Sequence, residues 1–225
     1  MLPATLLTAS RQHRYKHDTH SETAYRLLKE KIVTLVLPPA TLLNEAKLMA
    51  ELNLGRTPIR EALQRLASEN LVVILPRRGT IVADLNISDI QKIFEVRLEL
   101  ETYVARLAAS RATPAQIEAM EALFAGADEL IRQADHHQLI SLDHQAHRLL
   151  VQAAHNEFLE EILEQLYTHI LRLWYLSLHK VSRLAEAIEE HRHIIAAVKA
   201  RDGERAAQIM RTHIDGFQRE FTALL

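Results

Sequence analysis

Apolar residues recur three and four apart through most of this chain, and the stretches that break the rhythm are short. From a plausible cap at Ser21, the positions Ala24, Leu27, Leu28, Ile32 and Leu35 predict one helix. Leu37-Pro38-Pro39 stops it, because a residue before proline avoids helical backbone. Asn44 predicts the cap of a second helix with Leu48, Met49 and Leu52 on its apolar side, and Asn53-Leu54-Gly55 predicts a tight turn. A third helix follows, in which Ile59, Ala62, Leu63 and Leu66 form one stripe. Pro58 suits its first turn, where the missing amide would have no partner. Then β-prone residues 71–75 and 80–83 flank Pro76-Arg77-Arg78-Gly79, the pattern of a hairpin with a four-residue turn.

Beyond Asp84 the pattern is helical almost without interruption. Helices are predicted over 88–107, 114–134, 138–154, 157–178, 182–200 and 204–224, with Ser88 and Thr113-Pro114 as start signals. Short links and no internal repeat predict an all-α bundle of six or seven helices. The fold expected is mainly α: residues 1–20 a flexible tail, 21–84 a winged helix-turn-helix, and 85–225 the helical bundle.

Composition adds constraints. With 225 residues, 48% hydrophobic and 25% charged, the chain has material for an ample core. It has no cysteine, so no disulfide framework or thiolate site exists. Apolar runs are too short for a membrane span, and a cytoplasmic protein is expected. Residues 1–84 hold 12 Lys and Arg against 8 Asp and Glu, a balance of +4; residues 85–225 hold 15 against 21, or −6. Only the front is suited to meet a polyanion.

Two sets of residues carry chemistry. The third helix presents Thr57, Arg60 and Gln64 opposite its apolar stripe, with Arg56 just ahead. That is the end of a recognition helix that touches base edges in a major groove; the bland alternative is a solvated basic face. Arg77 and Arg78 at the tip of a hairpin directly behind it fit a wing that contacts phosphate or the minor groove. In the bundle, Asp143 and His147 share a helical face at i and i+4, a spacing that by itself favours the bland reading of an exposed surface pair. His191 and His213, however, also sit beside apolar stripes, on two further helices. One aspartate and three histidines on inward faces would be costly without a shared partner, and as a mixed N/O set they suit a divalent ion.

Residues 48–66, with Arg56-Thr57-Pro58-Ile59-Arg60-Glu61-Ala62-Leu63 at the centre and Arg77-Arg78-Gly79 behind, resemble the DNA-binding domain of the GntR family of bacterial transcription regulators. The resemblance implies that Arg56, Thr57 and Arg60 face the groove of double-stranded operator DNA and that Arg77, Arg78 and Gly79 form the wing tip. The chain departs from the pattern at Gly55, where a serine cap is common, at Leu35 and Pro39, where glycines are common, and at Ala46, often an arginine. Glu95-Val96-Arg97 with Glu101, Asp143 with His147, Asn156, Glu190-His191 with Ile194, and Met210 with His213 resemble the effector (FCD-type) domain of the family's FadR-like branch. This implies that Asp143, His147, His191 and His213 ligate a divalent metal, zinc foremost, with nickel, manganese or iron as alternatives. It also implies a neighbouring pocket for a small carboxylic acid, with Arg97 as its anchor unless Arg97 merely pairs with Glu101. Arg172 and Tyr175 are further pocket candidates, and the remaining histidines match no motif position. The expected protein is a dimeric, ligand-modulated regulator, most simply a repressor, and not an enzyme. The rival readings are a metal-dependent hydrolase and a pure metal sensor built on the same four residues.

Overall fold

The computed structural model describes residues 19–177 and 182–224; most of the expected tail, and His179, lie outside them. The described residues fall into two compact units, one reaching to Leu85 and including Leu171–Leu176, the other comprising Asn86–Ile170 and the chain from Ser177.

The first unit runs α1 (His20–Val33), β1 (Leu42–Leu43), α2 (Glu45–Leu52), α3 (Arg56–Ser68), β2 (Val72–Leu75) and β3 (Gly79–Val82). The first helix is capped by Thr19 rather than Ser21; the Ser21 hydroxyl donates to Glu61 instead. It ends at Val33, earlier than the prolines require, and the chain turns through Leu35 at φ 59°. Leu35 thus holds left-handed backbone that glycine adopts more readily. Asn44 caps α2 as expected, its side chain accepting from the Lys47 amide at 3.0 Å. Asn53, at φ 51°, makes the turn into α3, whose cap Gly55 offers no side-chain acceptor. Ala24, Leu28, Ile32, Ile59, Ala62, Leu63, Leu66 and Val82 share one core. The hairpin pairs Val72 with Val82 through to Leu75 with Gly79. Gly79 (φ 98°) therefore starts β3, and the loop is three residues, 76–78, rather than four. The two-residue β1, too short to show alternation in the sequence, adds to β3 and makes the sheet order β1-β3-β2.

The remaining elements are helical: α4 (Ile87–Arg111), α5 (Pro114–Leu123), α6 (Ala127–Arg132), α7 (His136–Ala153), α8 (Glu157–Ser177), α9 (Leu184–Lys199) and α10 (Gly203–Leu224), all in the second unit except residues 171–176 of α8. The single helix predicted over 114–134 is split in two, because Gly126 adopts φ 84°. The cap of α4 is Asn86 rather than Ser88, and Ser182 pairs with Glu220 while α9 begins two residues later. Thr113 and Gln116 form a reciprocal capping box before Pro114. Helix α10 packs along α4 and α9, and α7 packs against α4, α5 and α9. Phe94, Val104, Met120, Leu150, Leu163, Ile194, Val198, Met210, Ile214 and Phe221 fill the core between them. No helix among the described residues is long and apolar enough to cross a membrane.

Candidate DNA interface and candidate metal centre

In the first unit the apolar stripe of α3 is wholly buried, which forces the opposite face outward. Arg56, Thr57, Arg60 and Gln64 are exposed on it. Among them Arg60 is not idle: its Nε donates to Glu45 Oε2 at 2.9 Å, from the first turn of α2. Both side chains are open to solvent, so this ion pair is worth no more than ~1 kcal/mol and yields readily to a better acceptor. Glu45 is a neighbour that the sequence reading overlooked; no periodicity links a residue before the turn to one after it. Arg77, Arg78 and Gly79 are all exposed at the hairpin tip, with Arg77 itself at φ 61° and the Arg78 amide donating to Leu75 O at 3.1 Å. The loop aims two guanidinium groups outward from a short rigid ladder.

The second unit brings four distant residues to one point. Asp143 and His147 from α7, His191 from α9 and His213 from α10 are all buried, and one ligand atom of each lies within 4.8 Å of every other. His191 Nε2 is 2.9 Å and His213 Nε2 3.4 Å from Asp143 Oδ1, while His147 Nε2 is 3.9 Å from Asp143 Oδ2. The Nε2 atoms of His147 and His213 stand 3.1 Å apart.

What lies behind the rings decides how they can be used. His213 Nδ1 sits 2.9 Å from Glu190 Oε2, and His147 Nδ1 lies against the Glu101 carboxylate. A carboxylate behind Nδ1 fixes the proton there and turns the Nε2 lone pair inward. Two such lone pairs facing each other at 3.1 Å in a dry core repel unless a cation lies between them. The donor set therefore fits a divalent ion: three imidazole nitrogens and a carboxylate oxygen, the composition that suits zinc, nickel, manganese or iron. Without the ion, one positive charge must come from a ring. Burial pushes the His213 pKa down, but Asp143 and Glu190 outweigh it and raise it. His191 goes the other way, driven down to about 3 by burial and by His213; its Nδ1 is buried with no hydrogen-bond partner. Burial also raises the Asp143 carboxyl, yet the surrounding imidazoles hold it well below the carboxylate range.

Each supporting carboxylate has its own arginine. Arg183, at the start of α9, donates to Glu190 at 2.9 Å and to the His213 carbonyl at 3.1 Å. Its guanidinium lies directly against Gly216, leaving no room there for a β-carbon. Arg97 is 3% exposed, and its Nε donates to Glu101 Oε1 at 2.6 Å, the i to i+4 pairing that the sequence left open. Glu101 Oε2 also accepts from the Tyr167 hydroxyl at 2.5 Å. Burial raises the Glu101 carboxyl, but Arg97, His147 and Tyr167 hold it far below its ordinary range. Glu190, Arg183 and Tyr167 had no assigned role from spacing, and Glu101 only that of a salt-bridge partner for Arg97. The signal was partly present, since Glu101 stands one turn beyond Arg97 and Glu190 directly before His191. Arg172 and Tyr175 fall in the Leu171–Leu176 segment that belongs to the first unit, and Arg172 donates to the Ala83 carbonyl at 2.5 Å. Beside Tyr167, a cavity of about 10 Å³ among Arg148, Val151, Gln152, Leu163 and Glu164 has room for about one water.

Comparison with known proteins is consistent with both halves. Residues 20–82 match the family described as bacterial regulatory proteins, gntR family, and residues 92–216 match the FCD domain. The chain is 29% identical over 194 residues to the HTH-type transcriptional repressor RspR of Escherichia coli, covering 86% of this chain and 85% of that protein. It is likewise 29% identical over 205 residues to the E. coli repressor GlaR, covering 84% and 90%. Among solved structures, E. coli McbR/YncC superposes with a TM-score of 0.80 at 22% identity, over 92% of this chain and 99% of that one.

Proposed function

The chain belongs to the GntR family of bacterial regulatory proteins, in the branch that carries an FCD domain, and we propose that it is a dimeric repressor controlled by a small carboxylic acid at a metal centre. As a GntR-family regulator it binds DNA through its helix-turn-helix. Arg56, Thr57 and Arg60 read base edges in the major groove, while Arg77, Arg78 and Gly79 hold phosphate or the minor groove. Two-fold operators call for two copies. Repressor names among the relatives support that sign of control.

The observation that carries the metal reading is the pair of imidazole nitrogens 3.1 Å apart, each ring backed at Nδ1 by a buried carboxylate. Asp143, His147, His191 and His213 hold the ion, zinc foremost. When bound, the ion would supply a Lewis acid able to attract an oxygen of the acid. Arg97 keeps its Nε on Glu101 and would meet the acid's carboxylate through its Nη groups. Acid binding favours one of two packings of the helical domain, and the DNA affinity changes by the difference in acid affinity between them. The test is acid binding by wild type, Arg97→Met and His191→Ala proteins after metal loading. Loss of acid binding in both variants is expected. Acid bound equally by all three would overturn the assignment.

A further inference from the structure

Glu101 is shared. Its Oε1 takes the Nε–H of Arg97 and its Oε2 the hydroxyl of Tyr167, and the same carboxylate lies against Nδ1 of His147. It is 1% exposed, so no solvent can substitute for any of the three. Glu190 offers a contrast within the same molecule. It stands 2.9 Å from Nδ1 of His213, but its arginine is Arg183 and not Arg97.

We propose that Glu101 is a positioning residue that couples acid binding to metal binding, by dividing its charge between Arg97 and His147. The inference rests on the reading that the metal lies at the four-residue cluster and the acid at Arg97. An acid carboxylate paired with the Nη groups of Arg97 competes with Glu101 for that guanidinium. Glu101 then gives more of its charge to the Nδ1–H of His147, and a more strongly held Nδ1–H makes Nε2 a better electron-pair donor. The acid therefore tightens the metal, and by linkage the metal tightens the acid by the same factor. A gain of ~5–150-fold is the usual range for such coupling. Glu190 has no part in this exchange, because nothing the acid touches pulls on it.

The test measures zinc affinity by chelator competition on the full chain, with and without acetate, lactate or gluconate, in wild type, Glu101→Gln and Glu190→Gln. Both variants are expected to lose ~10–100-fold in zinc affinity, as removal of a carboxylate behind a ligand histidine does. The acid-induced gain in zinc affinity is expected to shrink severalfold in Glu101→Gln and to stay at the wild-type factor in Glu190→Gln. Glu101→Asp should restore part of the gain. Should Glu101→Gln fold poorly, the Tyr167→Phe variant serves: it frees Oε2 from one competitor and should strengthen zinc binding without acid. A gain unchanged in Glu101→Gln, or lost equally in Glu190→Gln, would overturn this inference alone. Wild type that binds zinc but responds to none of the acids, or binds no zinc, would overturn the underlying reading and this inference with it.

Discussion

The two units keep their candidate functional residues in opposite places. In the first, Arg56, Thr57, Arg60, Arg77 and Arg78 are all exposed, and the buried residues serve only to aim them. In the second, Asp143, His147, His191 and His213 are at most 6% exposed, and the candidate ligands sit inside the core itself. The first kind of site is completed by a large partner that comes to a surface; the second by something small enough to enter a packed bundle. Mutational costs should differ accordingly. A surface guanidinium can be removed without harm to the fold, whereas a buried ligand takes stability with it.

The largest effect should come from metal removal. An ion at a thousandfold its dissociation constant adds ~4 kcal/mol to stability, which for a chain of this size shifts the melting temperature by ~10 °C. Calorimetry before and after chelation should show that fall in wild type and none in His147→Ala. An equal fall in both would place the ion elsewhere.

Arg60→Ala comes next, with a cost of ~1–3 kcal/mol on operator DNA and relaxed preference at one base position. Its melting temperature should stay close to wild type, since the pair with Glu45 is exposed. Losing the same affinity on random DNA would remove Arg60 from base reading.

Acid sensitivity distinguishes the units in another way. Burial pushes the His144 imidazole down to about 4, with Arg148 adding to the effect. Between its ordinary pKa of about 6.5 and about 4, the unfolded chain takes a proton that the folded chain refuses, so stability falls as pH falls. His191 has the same sign down to about 3. His213, raised, has the opposite sign: the stability it contributes is present below about 6.5 and is lost as pH rises through its folded value. The depressed His144 ring therefore contributes acid destabilisation to the metal-free protein. Denaturation at pH 6.5, 5.5 and 4.5 should show it. His144→Gln should flatten the slope by up to ~1.4 kcal/mol per pH unit, and an unchanged slope would clear His144 of any part in it.

Arg77→Ala should have the smallest effect. It is expected to weaken specific and random DNA alike and to lower the salt slope by ~1, read from titrations at several salt concentrations. A base-specific loss would instead make the wing a reader.

The same contrast explains what could be read in the sequence. A solvent-facing motif needs only local order, so Asn44, the turn at Asn53, and the stripe Ile59, Ala62, Leu63, Leu66 were enough to place Arg56, Thr57 and Arg60 outward. The buried cluster depends on where three helices meet. The i to i+4 spacing of Asp143 and His147 showed a shared face, but not that it faced His191 and His213. Glu101 and Glu190 were harder still: Glu101, one turn from Arg97, reads as half of a surface pair until its burial is known, and Glu190 meets an arginine seven residues away. Gly126, which splits the helix predicted over 114–134, lies inside an uninterrupted apolar rhythm, where a glycine in left-handed backbone leaves no trace in periodicity. Strand β1 has only two residues and is defined by its partner β3 rather than by any pattern of its own.

The central claim is that the buried metal centre governs what the exposed arginines do. Its most direct test is fluorescence anisotropy of the zinc-loaded full chain on DNA from upstream of its own gene, against random DNA, as acetate, lactate and gluconate are titrated in. The account predicts tight, salt-sensitive preference for the upstream fragment, released by an acid in wild type and retained at all acid concentrations in Arg97→Met. Preference for the fragment that no acid and no chelator alters would contradict it, and would leave the helical domain with a role independent of its buried histidines.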